Sequence, residues 1–202
     1  VSRQNYEKIE FSFRHYLYDH FGKTVIRIQV AIAFILLLLL PAANFFYPTD
    51  YSLKAGIHGV SAILAIVVGT YLTHRAIPLI KGMQVRLESL RHWVLAATLL
   101  NLAGAVSGNW IYMRYRGQDG PRDWILARVP NFHNVLMEFK EFVSLFPFPL
   151  MLAAAFMLYY YGMPMQYRRD IGRFVGVTIL ISWSFLLLGF AAGLVLAKLR
   201  FV

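Results

Sequence analysis

The sequence predicts an all-α polytopic membrane protein, a bundle of about five transmembrane helices with amphipathic helices at the interface. Two observations carry this. Hydrophobic residues make up 58% of the 202 and the mean hydropathy is +0.54, whereas a soluble domain is nearer about 45–50% apolar. The apolar residues are also gathered into runs of about 20, enough to cross a hydrocarbon core of roughly 30 Å. Those runs use most of the chain, which reads as one membrane domain over 1–202 with no room for a separate soluble enzyme.

Residues 1–23, "VSRQNYEKIEFSFRHYLYDHFGK", scatter charge throughout and lack a compact apolar core with a cleavage site, so they do not read as a signal peptide. Tyr6, Ile9, Phe13, Leu17 and Phe21 recur there at helical spacing, which predicts an interfacial helix. Spans are expected at about 25–43, 53–73, 92–112, 142–161 and 174–197. The fourth contains Pro147 and Pro149, each lacking an amide donor, so it is expected to be kinked, or unwound where other protein covers the freed carbonyls. "GQDGPRD" at 117–123 supplies turn residues and reads as a loop.

The segment 131–141 leads into the fourth span. Phe132, Val135, Leu136, Phe139, Phe142, Val143 and Phe146 fall on one helical face, with Asn131, Asn134, Glu138 and Glu141 on another. This predicts an amphipathic helix lying on the membrane surface or on a partner, with Glu138 and Glu141 solvated or paired with Lys140 and nearby arginines. "GAVSG" (Gly104, Gly108) and "GFAAG" (Gly189, Gly193) are small-residue repeats that allow close helix approach.

Lys and Arg number 20 against 10 Asp and Glu, and they cluster at span ends. There they anchor spans and meet anionic lipids or an acidic partner; nucleic acid is not an expected partner. With a cytoplasmic N-terminus, the inner segments hold twelve Lys and Arg and the outer ones eight. The expectation is therefore N-terminus in and C-terminus out, in a bacterial inner membrane.

The chain has no cysteine, which excludes thiolate zinc, Cys-ligated iron–sulfur clusters, thioether haem and disulfides. HExxH, GxSxG, Walker and GxGxxG patterns are absent, and no catalytic residue is assigned. Transport is disfavoured, because no Asp, Glu, Lys or Arg lies deep in the second to fifth spans.

The histidines are what remains. His15 and His20 fall in the N-terminal segment, while His58, His74, His92 and His133 fall at or near span ends. Imidazoles from two helices can hold haem b without thioether links, given small residues beside each ligand and Arg near the propionates. His58 shares a face with Ala62, Ala65 and Gly69, a surface suited to a helix contact or to a ring edge. His74 is rotated from it by about 160°, onto a face with Ile63, Val67 and Thr70. His58 and His133 form the outer pair, with Arg114, Arg116 and Arg128 nearby; His92 and His74 are the second choices for the iron, on the inner side. One imidazole would also suffice for (bacterio)chlorophyll magnesium.

In layout, with five spans, no Cys, and His58, His92 and His133 near span ends, the chain resembles the b-type cytochrome membrane subunits of electron-transfer complexes. That resemblance implies a non-catalytic, haem-binding subunit relaying electrons to or from quinone beside other subunits. It departs from the di-haem pattern, because His58 and His74 do not share a face. Two other readings stand beside it: a cofactor-free structural or assembly subunit, and a small permease.

Overall fold

The computed structural model describes residues 51–162 and 168–199, with the isolated positions Leu38, Ala42, Phe45 and Phe46. The N-terminal segment 1–23 lies outside the described residues, as does the first expected span, 25–43, apart from Leu38 and Ala42. The helices are α1 (Tyr51–Ile80), α2 (Leu87–Tyr115), α3 (Pro121–Arg128), a π turn (Phe132–Met137), α4 (Glu138–Ser144), α5 (Pro147–Tyr161) and α6 (Arg169–Leu199). No strand occurs among the described residues. Four rods are long and apolar enough to cross a membrane: Ser52–Ile80, Leu87–Tyr115, Phe132–Tyr161 and Arg169–Leu199. The protein is an all-α membrane helix bundle.

The rods close into a ring in which α1 packs on α2 and α6, and α5 on the same two. Lipid tails are as apolar as leucine, so the ring depends on close fit more than on hydrophobic drive. Glycines supply much of that fit. A Cβ at Gly176 would come within 2.6 Å of Ile80 Cγ1 and 3.0 Å of the Ala76 carbonyl, so α1 and α6 touch backbone to backbone there. Gly172 and Gly176 thus form a small-residue contact, in "GRFVG", that the sequence reading passed over in favour of GFAAG. GFAAG is a contact too: Gly189 lies under Ser144 and Val143, and Gly193 under Lys140.

The main core sits at the α1–α2 turn end, where Leu72, Leu79, Leu90, Val94, Leu158 and Val175 meet. Arg91 is buried beside it. Its Nε donates to the Leu158 carbonyl at 2.8 Å, and its guanidinium lies 5.4 Å from the Tyr159 ring. A cation thus meets the carbonyl end of α5, where the helix dipole favours it.

The proline pair breaks the rod where expected. Pro147 and Pro149 cannot donate to the carbonyls of Val143 and Leu145. The chain tightens instead, with Leu145 N bonding Phe142 O at 3.3 Å and Phe146 N bonding Val143 O at 3.4 Å. The fully buried Ser182 hydroxyl donates to the Pro147 carbonyl at 3.0 Å and ties the break to α6.

Two other segments differ from the sequence expectation. Part of the 117–123 loop enters a helix, α3, with Pro121 in its first turn, Asp123 near its start and Arg128 near its end, a charge order that suits the helix dipole. Before it, Asp119 has φ 56, and a Cβ on Gly120 would fall 2.7–2.8 Å from three carbonyl oxygens, so only glycine fits. The segment 131–141 is continuous with the fourth rod, as a π turn and then α4, and packs against α6.

Candidate functional site

The polar residues of interest gather at the end of the bundle formed by the start of α1, the ends of α2 and α6, α3 and the π turn. Its hub is His133, which is only 4% exposed. Arg122 Nε donates to His133 Nε2 at 3.3 Å. Because arginine can only donate, Nε2 must be the lone-pair nitrogen, and the neutral ring carries its proton on Nδ1. Nδ1 then donates to the Tyr115 hydroxyl at 3.0 Å. Glu138 Oε1, 3.9 Å from Nε2, is beyond hydrogen-bond reach and adds only its charge. Around this hub Tyr115, Ile125, Met137 and Leu196 form a second small core.

Ordinary helical spacing already puts His133 on the buried side: Met137, Lys140, Val143 and Pro147 follow it at i+4, i+7, i+10 and i+14. The π turn over 132–137 begins this rod. The single apolar face expected across 132–146 is not the buried one. Val135, Phe139, Phe142 and Leu145 form an exposed stripe, and Asn131, Asn134 and Glu138 are exposed as well. The buried line runs through His133, Met137, Val143 and Pro147, with Lys140 half-buried on the same side.

His58 belongs to a different network. Its Nδ1–H is shared between the Gly104 carbonyl at 3.1 Å and the Ser107 hydroxyl oxygen at 3.2 Å. The Ser107 hydroxyl donates onward to Ala103 O at 2.6 Å. The ring lies against Gly108, where a Cβ would meet His58 Cε1 at 3.0 Å. The GAVSG motif is therefore a cradle for this imidazole, and of the two uses its face suits, the structure takes the helix contact. Lys140, its stem over Gly193, acts electrostatically on both His58 and Glu141. Beside them the buried Tyr112 hydroxyl lies among Glu141 and Arg116 without a hydrogen bond of good geometry. Arg116 stacks over the Tyr112 ring at 4.5 Å.

His58 and His133 lie at the same end of the bundle, yet each is held by its own partners and their rings share no hydrogen bond. With Nδ1 on Tyr115 and Nε2 taken by Arg122, His133 has no lone pair left for iron, so these residues do not fit a bis-imidazole haem. His92 and His74 lie at the opposite end; His74 is exposed and His92 half-buried. Arg114 and Arg116 are exposed on the last turn of α2 and just beyond it. No group of three or more His, Asp or Glu side chains gathers to hold a metal among the described residues.

The sequence reading missed Tyr115 and Arg122, the two partners that fix His133. Tyr115 falls just beyond the expected third span, and only its four-residue step from Ile111 marks it as part of the α2 face. Arg122 carries no signal, because it sits in GQDGPRD, whose turn residues predict a loop. Comparison of the chain with protein-family models, with curated proteins and with solved structures finds no match.

Proposed function

We propose that this chain is a structural or assembly subunit of a membrane protein complex and works without a bound redox cofactor. The observation that carries this reading is His133: the buried histidine best placed to pair with His58 spends both nitrogens inside the chain. Its network ties the π turn to α2 and α3, which is a folding role. The exposed side of 131–145 supports a partner. Asn134 and Glu138 are uncovered on a rod that otherwise faces lipid, and polar groups on such a rod are stabilised by protein or water rather than by acyl chains. A neighbouring subunit seated on this side would cover the Phe139–Phe142 stripe together with Asn134 and Glu138. The Lys and Arg distribution favours a cytoplasmic N-terminus, and the membrane in this reading is a bacterial inner one.

A second reading rests on His58 alone. Anchoring Nδ1–H on a backbone carbonyl fixes the ring and leaves the Nε2 lone pair for an axial bond, the arrangement that supports metal-ligating histidines. It would make the chain a haem b or (bacterio)chlorophyll subunit with one ligand from this protein, passing electrons to or from quinone.

Visible absorption spectra, including the reduced-minus-oxidised difference, of the chain purified with its native partners in mild detergent separate the two, since both haem b and (bacterio)chlorophyll absorb there. The structural reading expects no haem or (bacterio)chlorophyll band and co-migration with partner subunits on native gels. A haem band near about 560 nm or a (bacterio)chlorophyll band that His58→Ala abolishes, or a chain that migrates alone as a stable monomer, would overturn it.

A further inference from the structure

At the opposite end of the bundle, a shallow groove opens between the α1–α2 turn and the start of α6. Its accessible apolar side chains are Met83 and Val85, over the buried Leu79 and Leu87, and Gln84, Arg168 and Arg169 line it with polar groups. The Arg169 stem crosses Gly82, a left-handed residue with φ 72 at which a Cβ would lie 3.2 Å from Arg169 Cδ. The turn thus seats this arginine closely.

The surrounding charge is one-sided. Residues 73–91 and 159–173 hold seven Lys and Arg and two carboxylates, Glu88 and Asp170. Several of the cations are committed. Arg91 bonds Leu158 O, Arg173 bonds Ile80 O, and Arg168 grips Asp170 through two bonds at 2.9 and 3.1 Å. Arg169 forms no ion pair among the described residues, yet its side chain lines the groove.

We propose that this groove binds the headgroup of an anionic phospholipid, with the phosphate at Arg169 and the glycerol end of an acyl chain along Met83 and Val85. Three features select that ligand over a soluble anion. Met83 and Val85 offer accessible apolar surface beside Arg169, the groove opens where two membrane-crossing rods begin and end, and the excess charge is positive. A basic side chain near an anionic bilayer surface favours such a lipid by about 1 kcal/mol, or roughly fivefold in association constant. The site is independent of whether the chain binds a cofactor or a partner subunit.

The test uses the full chain in phosphatidylcholine bilayers containing trace spin-labelled phosphatidylglycerol or spin-labelled phosphatidylcholine, and reads the motionally restricted lipid fraction. The expected result is selectivity for phosphatidylglycerol, reduced about fivefold by Arg169→Gln and retained by Arg169→Lys. Lys198→Gln removes the same charge outside the groove, at the other end of the bundle, and should lower selectivity clearly less than Arg169→Gln does; helical content by circular dichroism confirms that each variant is folded. Equal selectivity in wild type and Arg169→Gln overturns the proposal, as does an equal loss in Lys198→Gln. Competition by millimolar inorganic phosphate also overturns it, by assigning the groove to a soluble anion. If Arg169→Gln fails to fold, loss of selectivity in folded Arg169→Lys would count against the proposal and its retention for it.

Discussion

The bond between Tyr115 and His133 is the point at which the functional reading is most exposed to test. Tyr115→Phe removes one oxygen and nothing else. The ring is 1% exposed and stacks on Tyr112 with centroids 5.5 Å apart, so its apolar packing survives the change. What is lost is the acceptor 3.0 Å from His133 Nδ1, in a place where a replacement water has little access. An unsatisfied buried donor costs about 1–3 kcal/mol. His133→Ala loses the same bond, the Arg122 bond and the ring volume, so about 2–4 kcal/mol is expected. The two losses overlap in one interaction, and the double variant should therefore be less destabilised than the sum. Side-chain bonds between membrane helices couple by about 0.6 kcal/mol on average and at most about 1.7; a fully buried pair at 3.0 Å belongs towards the upper part of that range, about 1 kcal/mol. The assay is reversible unfolding in mixed micelles of rising dodecyl sulfate fraction, followed by far-ultraviolet circular dichroism for wild type, both single variants and the double. A coupling within about 0.3 kcal/mol of zero, the scatter of independent sites, would refute the reasoning. His133 would then have a nitrogen to spare, and the case against a His58–His133 ligand pair would fall with it.

Two other outcomes follow from the packing. Gly176→Ala forces a Cβ against the Ala76 carbonyl, whereas Gly59→Ala meets nothing within 4 Å; both gain the same helix propensity, so their difference isolates overpacking and should be about 1–3 kcal/mol in the same unfolding assay. Arg91→Gln loses the charged donor to Leu158 O and the contact with the Tyr159 ring. It should cost about 1.5–3 kcal/mol and fray the end of α5, visible as faster amide hydrogen exchange at 159–161, with Arg91→Lys intermediate.

The membrane architecture was legible because hydropathy over twenty residues integrates many weak signals, and a single misjudged side chain does not disturb it. The helix ends were less so: the expected spans of 92–112 and 174–197 became rods of Leu87–Tyr115 and Arg169–Leu199. Hydropathy marks the hydrocarbon layer, whereas the backbone stays helical through the basic and aromatic residues beyond it. Small-residue contacts were half legible. GFAAG and GAVSG announced themselves, but Gly172 and Gly176 are separated by Arg173, Phe174 and Val175, and lie at the edge of the apolar run. Their partner, the end of α1 at Ala76 and Ile80, is set by the ring arrangement of the rods, which no local pattern encodes.

His133 fails to be legible for a sharper reason. The most apolar face of 132–146 carries Phe132, Val135 and Phe139, but on a membrane rod apolar residues can face lipid as well as protein. The buried line is His133, Met137, Val143 and Pro147, with Lys140 half-buried among them, and these share a face at ordinary α spacing. Val135 and Phe139 face outward while His133 points into the bundle, where Tyr115 and Arg122 meet it. Both partners are needed to bury the ring, since an unsatisfied buried polar nitrogen costs about 1–3 kcal/mol. The same hydrogen bonds that allow His133 to be buried are therefore those that withhold it from a metal, and a variant that freed the ring for ligation would also remove the reason for its being buried.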